Sequence, residues 1–165
     1  MIQNKVAESE LVSLDLKTFI PSENPAIFDL KEYLFKGLIL KEKDYRQALQ
    51  NTNWDEYRDK YVLVLCSEDV IIPVWAYMLA VVYLEPVAKE VFFNNEHRWK
   101  ERMIFRGIDA INTEEYLNKR VIIKGCGEEP IPESAFFYIT KKLLPFVKSL
   151  MYGEPCSTVP VFKKK

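Results

Sequence analysis

From Lys60 onward, short charge-free runs alternate with longer stretches of helical periodicity. Tyr61–Leu65 is apolar at every position, as a strand covered on both faces of a parallel sheet would be. A helix is expected from about Pro73, and a short strand at Val91-Phe92-Phe93. Glu96–Ala110 predicts a helix with Trp99, Met103, Ile104 and Ile108 on its inner face. Val121–Ile123 predicts another strand, and about Pro132 to Met151 another helix. Ser157–Phe162 is a last extended segment. This alternation predicts an α/β fold: a single layered domain over residues 1–165, with a mostly parallel or mixed central sheet and helices on both faces. Tyr61–Leu65 and Val121–Ile123 are its expected central strands.

The N-terminal third is less regular. Leu11 to Phe19 alternates apolar and polar residues, which suggests a strand. The loop Pro21-Ser22-Glu23-Asn24-Pro25 follows. Asp29 with Glu32 three residues on has the form of a capping box, so a helix is expected there, with Leu30, Tyr33, Leu34 and Leu38 as its stripe and Gly37 as its early stop. Lys41–Gln50 predicts a second, more polar helix.

Val70 to Leu84, between Asp69 and Glu85, is the longest uncharged run. It is shorter than the roughly 20 apolar residues a bilayer requires, so no membrane role is expected. It reads as a helix buried on nearly all sides, with Trp75, Tyr77, Phe136 and Phe137 expected in the core. Net charge is -1, which leaves no basic field to hold nucleic acid. The terminal Lys163-Lys164-Lys165 reads as a solvated end.

The cysteines are Cys66, Cys126 and Cys156. Their number is odd, no two form C-x-x-C, and the start lacks the apolar run of a signal peptide. Reduced thiols in a cytoplasmic protein are therefore expected. Cys66 ends one expected strand and Cys126 closely follows another. Ligands of open α/β sheets bind outside the carboxyl ends of the strands. A thiol there, near the start of a helix, is placed to act as nucleophile or metal ligand. Cys126 stands in Lys124-Gly125-Cys126-Gly127, where the glycines permit close approach and Lys124 favours a thiolate, while Glu128 and Glu129 oppose it. Cys156 stands in a turn set by Gly153 and Pro155. Cys66 reads first as a structural residue, a small buried apolar side chain.

One internal similarity stands out. Pro73-Val74-Trp75-Ala76-Tyr77 and Pro132-Glu133-Ser134-Ala135-Phe136 match at Pro, Ala and the aromatic. Pro86 and Pro145 follow at equal spacing, then Lys89 and Lys148. Each helix follows an apolar strand with a cysteine just past it. The pattern suggests a βα duplication, although proline is common punctuation at helix starts.

Other chemistry finds little support. His97 is the only histidine, which excludes a two-histidine metal motif within the chain, and it is expected to be exposed. G-x-G-x-x-G, Walker A and G-x-S-x-G motifs are absent.

The chain resembles an uncharacterised bacterial family, domain of unknown function 2480. The likeness is carried by Pro73-Val74-Trp75-Ala76-Tyr77-Met78-Leu79, by Ile123-Lys124-Gly125-Cys126-Gly127 with Pro132-Glu133-Ser134-Ala135, and by Met151-Tyr152-Gly153-Glu154-Pro155-Cys156-Ser157-Thr158-Val159-Pro160. Phe28-Asp29-Leu30-Lys31 and Gly37-Leu38-Ile39-Leu40 extend it over nearly the whole chain. The resemblance brings no established activity; it implies an association with iron–sulphur assembly components.

Two functional readings follow. The first is a cytosolic thiol-based accessory protein that binds metal or handles sulfur, linked to iron–sulphur metabolism. Cys126, Cys156 and Cys66 would then be the site, with zinc or iron as the metal. Three thiolates are one short of a Cys₄ set, so Glu128, Glu129 or Glu154, His97, water or a second protomer would complete it. The second reading is a non-catalytic interaction module with structural cysteines, engaging a protein partner or a second copy. A small-molecule enzyme is a weaker third, because no acid–base set is recognisable.

Overall fold

The computed structural model describes residues 11–125, 127–154 and 156–165. β1 (Leu11–Asp15) ends at Asp15, whose Oδ1 accepts the Lys17 N–H at 3.0 Å and caps a 3-10 turn over Leu16–Phe19. The alternating pattern suggested a strand through Phe19. The cap stops it, because a short acidic side chain that satisfies a nearby N–H offers the backbone a turn in place of a ladder. β2 (Ala26–Asp29) ends in the same way, with Asp29 Oδ1 accepting the Lys31 N–H at 3.0 Å. The helix expected beyond Asp29 is corrected to a single 3-10 turn, Leu30–Tyr33. β3 (Leu34–Phe35) and β4 (Ile39–Leu40) then form a small antiparallel hairpin. Lys36 and Gly37 turn it with φ of 51 and 71 degrees.

α1 (Glu42–Gln50) is followed by a 3-10 turn, Trp54–Tyr57, and by β5 (Tyr61–Leu65). Next come α2 (Val74–Leu84), β6 (Glu90–Phe93) and α3 (Glu96–Asp109). A 3-10 turn at Thr113–Tyr116 leads to β7 (Arg120–Lys124) and α4 (Glu133–Leu143). β8 (Ser149–Glu154) and β9 (Ser157–Lys163) close the chain. The last helix therefore ends eight residues before Met151, the end expected from sequence. Pro145 has no N–H to continue it, and Ser149–Tyr152 pairs in parallel with β7 instead.

The α/β class stands, and the strands divide between two compact units. Ser22–Trp99 holds the all-parallel sheet β2-β5-β6. Residues 11–21 and 100–165 hold β1-β7-β8, also parallel, with β9 added antiparallel to β8. Tyr61–Leu65 and Val121–Ile123 are central, each in its own sheet.

The two units repeat one build: a capped strand end, a helix, a 3-10 turn, a strand, a helix, a strand. The repetition reaches single hydrogen bonds. Asp59 and Asn118 both have φ of 57 degrees. Their N–H groups donate to the carbonyls of Val87 and Phe146 at 3.0 and 2.8 Å. Lys89 and Lys148 donate to the carbonyls of Lys60 and Lys119 at 2.9 and 2.8 Å. Each pair has the sequence separation of Pro73 and Pro132, so the internal similarity marks a structural repeat.

Each unit has its own core. Phe28, Tyr45, Leu49, Val62 and Val64 pack with Ala76, Ala80 and Leu84 of α2 in one. Ile104, Ile108, Val121 and Ile123 pack with Ala135, Ile139 and Leu143 of α4 in the other. Tyr45 is fully buried, and its hydroxyl donates to the Ala76 carbonyl at 3.0 Å, tying α1 to α2. The expectation that α2 is buried on nearly all sides is corrected. One stripe is buried, whereas Val74, Met78 and Val82 are 74%, 65% and 65% exposed. Phe137, expected in the core, is 69% exposed. Covering one side of a three-stranded sheet leaves a helix's far side in water, whatever residues it carries there.

Candidate functional site

Because β7 and β8 are parallel neighbours, their carboxyl ends share one edge. The turn bearing Cys126 leaves β7 at Gly125, and Cys156 lies between the paired residues Glu154 and Ser157 of β8 and β9. Cys156 is exposed. The expectation for Cys126 itself lies outside the described residues. At this edge Lys124 Nζ meets Glu154 Oε2 at 3.1 Å. Lys100 is ion-paired with Glu129. Two of the three carboxylates considered as ligands are thus held by ammonium groups, and Glu128 is exposed.

Beside this edge lies a cavity of about 500 Å³, lined by Gly125, Ile131, Glu133, Phe136, Met151 and Tyr152 among others. The Phe136 ring stands edge-on to Tyr152, with centroids 5.4 Å apart. It also covers the Gly125 backbone so closely that an added Cβ would lie 2.2 Å from its Cζ. Glycine before Cys126 is therefore a packing requirement. Lys17 Nζ would clash with a Cβ built on Gly127. Lys17 was not singled out from sequence; its place in Asp15-Leu16-Lys17, matching Asp29-Leu30-Lys31, was the available signal.

Cys66 belongs to the other unit, just beyond the carboxyl end of β5. It is half-buried and packs against the core around Phe28. The next residue, Ser67, donates its N–H to Asp29 Oδ1 at 3.0 Å, so one carboxylate both caps a turn and anchors the thiol-bearing loop. Burial alone would raise the Asp29 pKa. Hydrogen bonds from Ser67 and Lys31, with the Lys31 ammonium, outweigh it and hold the carboxyl below its ordinary 3.8. Tyr77 on α2 is pushed upward by burial and by negative charge at Cys66 and Asp29.

A lowered folded-state pKa means stability that is complete above the unfolded value and lost as pH falls through the folded one. Asp29→Asn should therefore be less stable than wild type by a constant margin above about pH 4, and the margin should close below it. Urea midpoints from about pH 6 to 3 check this. A margin independent of pH would remove the carboxylate's charge from the account.

Among the described residues, no three of His, Cys, Asp and Glu gather as a metal site. His97 is exposed, as expected. Also among the described residues, no helix is long and apolar enough to cross a membrane.

The fold and site define an internally repeated α/β protein with a cysteine within two residues of the carboxyl end of each central strand. The chain belongs to the family described as protein of unknown function (DUF2480), whose model matches residues 1–164. No curated protein and no solved structure matches it.

Proposed function

We propose that the chain is a cytoplasmic thiol-based accessory protein that handles sulfur, working alongside iron–sulphur metabolism. One observation carries the reading: the turns bearing Cys126 and Cys156 leave adjacent parallel strands at one edge, beside an apolar cavity. A metal site at this edge is less favoured. Glu129 and Glu154 are already ion-paired with Lys100 and Lys124 and would exchange those partners to serve as ligands.

In the step proposed, a cysteine thiolate attacks the outer sulfur of a donor persulfide, R–S–SH. The donor S–S bond breaks, a new one forms to the cysteine, and the donor leaves as R–S⁻. The chain then carries Cys–S–SH.

The full chain, reduced and incubated with glutathione persulfide, should gain the mass of one sulfur, removable by dithiothreitol. Cys126→Ser should abolish the gain and Cys156→Ser should reduce it. Uptake by neither cysteine would sink the reading. Zinc or iron bound in stoichiometric amount to protein purified without chelator, and lost in the same variants, would replace it with metal holding. The interaction-module reading is favoured by a different feature, the exposed apolar side of α2.

A further inference from the structure

α2 and α4 occupy the same place in the two repeats, and their inward positions agree. Ala76, Ala80 and Leu84 on α2 match Ala135, Ile139 and Leu143 on α4, and all six are fully buried. Their outward positions differ. Where α4 has Glu133, Phe137 and Lys141, α2 has Val74, Met78 and Val82. Water-facing charge is therefore compatible with this helix in this fold, and the apolar side of α2 is not explained by its own unit's packing. Ile71 and Val81 extend that side at 94% and 40% exposure. Phe93, 66% exposed, adjoins it through a ring contact with Tyr77 at 5.0 Å.

We propose that this surface is a dimer interface, occupied by the α2 surface of a second copy of the chain. Area is the first argument. One partner in a standard stable interface contributes about 800 Å², and these six exposed side chains present an area of that order. Charge is the second. A two-fold interface sets a patch against its own image, so like charges within it would meet. From Val70 to Leu84 there is no charge to repel. A net charge of -1 adds almost no repulsion between whole copies.

The chain should sediment at twice its monomer mass at micromolar concentration. Val74→Glu combined with Val82→Glu sets like charges against each other across the two-fold axis, at positions where α4 already carries the charged Glu133 and Lys141. This double variant should sediment as a folded monomer, with unchanged helical circular dichroism. A second measurement needs no variant. Peroxide oxidation of Met78 in the wild-type chain, followed by peptide mass, should slow several-fold as concentration rises through dimerisation. The proposal is overturned by a wild-type monomer with Met78 oxidised at one rate throughout. A folded double variant that remains dimeric overturns it equally, as does protection of Met78 only when a different protein is bound.

Discussion

Phe28→Ala should lower the stability of the Ser22–Trp99 unit by roughly 3–5 kcal/mol, the usual range for truncating a buried aromatic. Phe28 is 1% exposed at the middle of β2. Its ring stacks on Tyr33 and Trp54, with centroids at 5.3 and 5.7 Å, and meets Tyr57 edge-on at 5.8 Å. Trp54 in turn stacks on Tyr83 of α2 and donates its indole N–H to the Leu49 carbonyl at 3.0 Å. Removing the central ring therefore leaves a void bounded by large, tethered neighbours that cannot close over it. Cavities that resist collapse fall at the expensive end of the range. Trp54, Trp75 and Trp99 all lie in this unit, so tryptophan fluorescence during urea unfolding reads it directly. A loss under about 1 kcal/mol would show that the cluster repacks, and that its ring geometry contributes little.

The parts of this structure legible in sequence are those where side-chain pattern and backbone agree. Tyr61–Leu65 is apolar throughout because both its faces are covered, and it is a central strand. Trp99, Met103, Ile104 and Ile108 were identified as an inner face by spacing, and all four are buried. Pattern misled where a short polar group overrides it. Asp29 has the neighbours of a helix cap and does cap, but its Oδ1 also accepts the Ser67 N–H, 38 residues on in sequence. That partner is tertiary and invisible to local reading.

The division into two units was illegible for a related reason. No linker marks it, and the strand that completes the second unit's sheet, β1, stands before the first unit in sequence. Residues 11–21 must be joined to a segment beginning at Lys100, which only the pairing of β1 with β7 reveals. Of the candidate site, the position of exposed Cys156 between two strands was legible, whereas Cys126 lies outside the described residues. The cavity was not legible, because it depends on Phe136 closing over Gly125 and meeting Tyr152. Contacts between residues far apart in sequence leave no periodic trace.

Gly153→Ala and Gly153→Asn should each destabilise the hairpin that carries Cys156, by roughly 2–4 kcal/mol. Two costs add. Gly153 has φ of 120 degrees, a conformation strained for a residue with a side chain. An added Cβ would also lie 2.5 Å from the Ser157 carbonyl oxygen, a backbone atom of the facing strand that cannot swing aside. The repeat separates the two costs. Asn94, at the matching position of the other unit, has φ of 94 degrees, so asparagine is accepted there in a related conformation. But among the described residues β6 pairs only with β5, and none forms a strand where β9 stands beside β8. If φ alone demanded glycine, Gly153→Asn would be nearly neutral, like its counterpart. With β9 present, Asn should cost almost as much as Ala. Amide hydrogen exchange over Ser157–Lys163 gives the readout, because each 1.4 kcal/mol of lost protection is about tenfold in rate. Both variants should accelerate exchange there by at least about tenfold, while amides of β5 and β6 keep wild-type rates. Equal exchange in Gly153→Asn and wild type would assign the glycine to backbone conformation, and would leave the addition of β9 without a part in fixing the turn at Cys156.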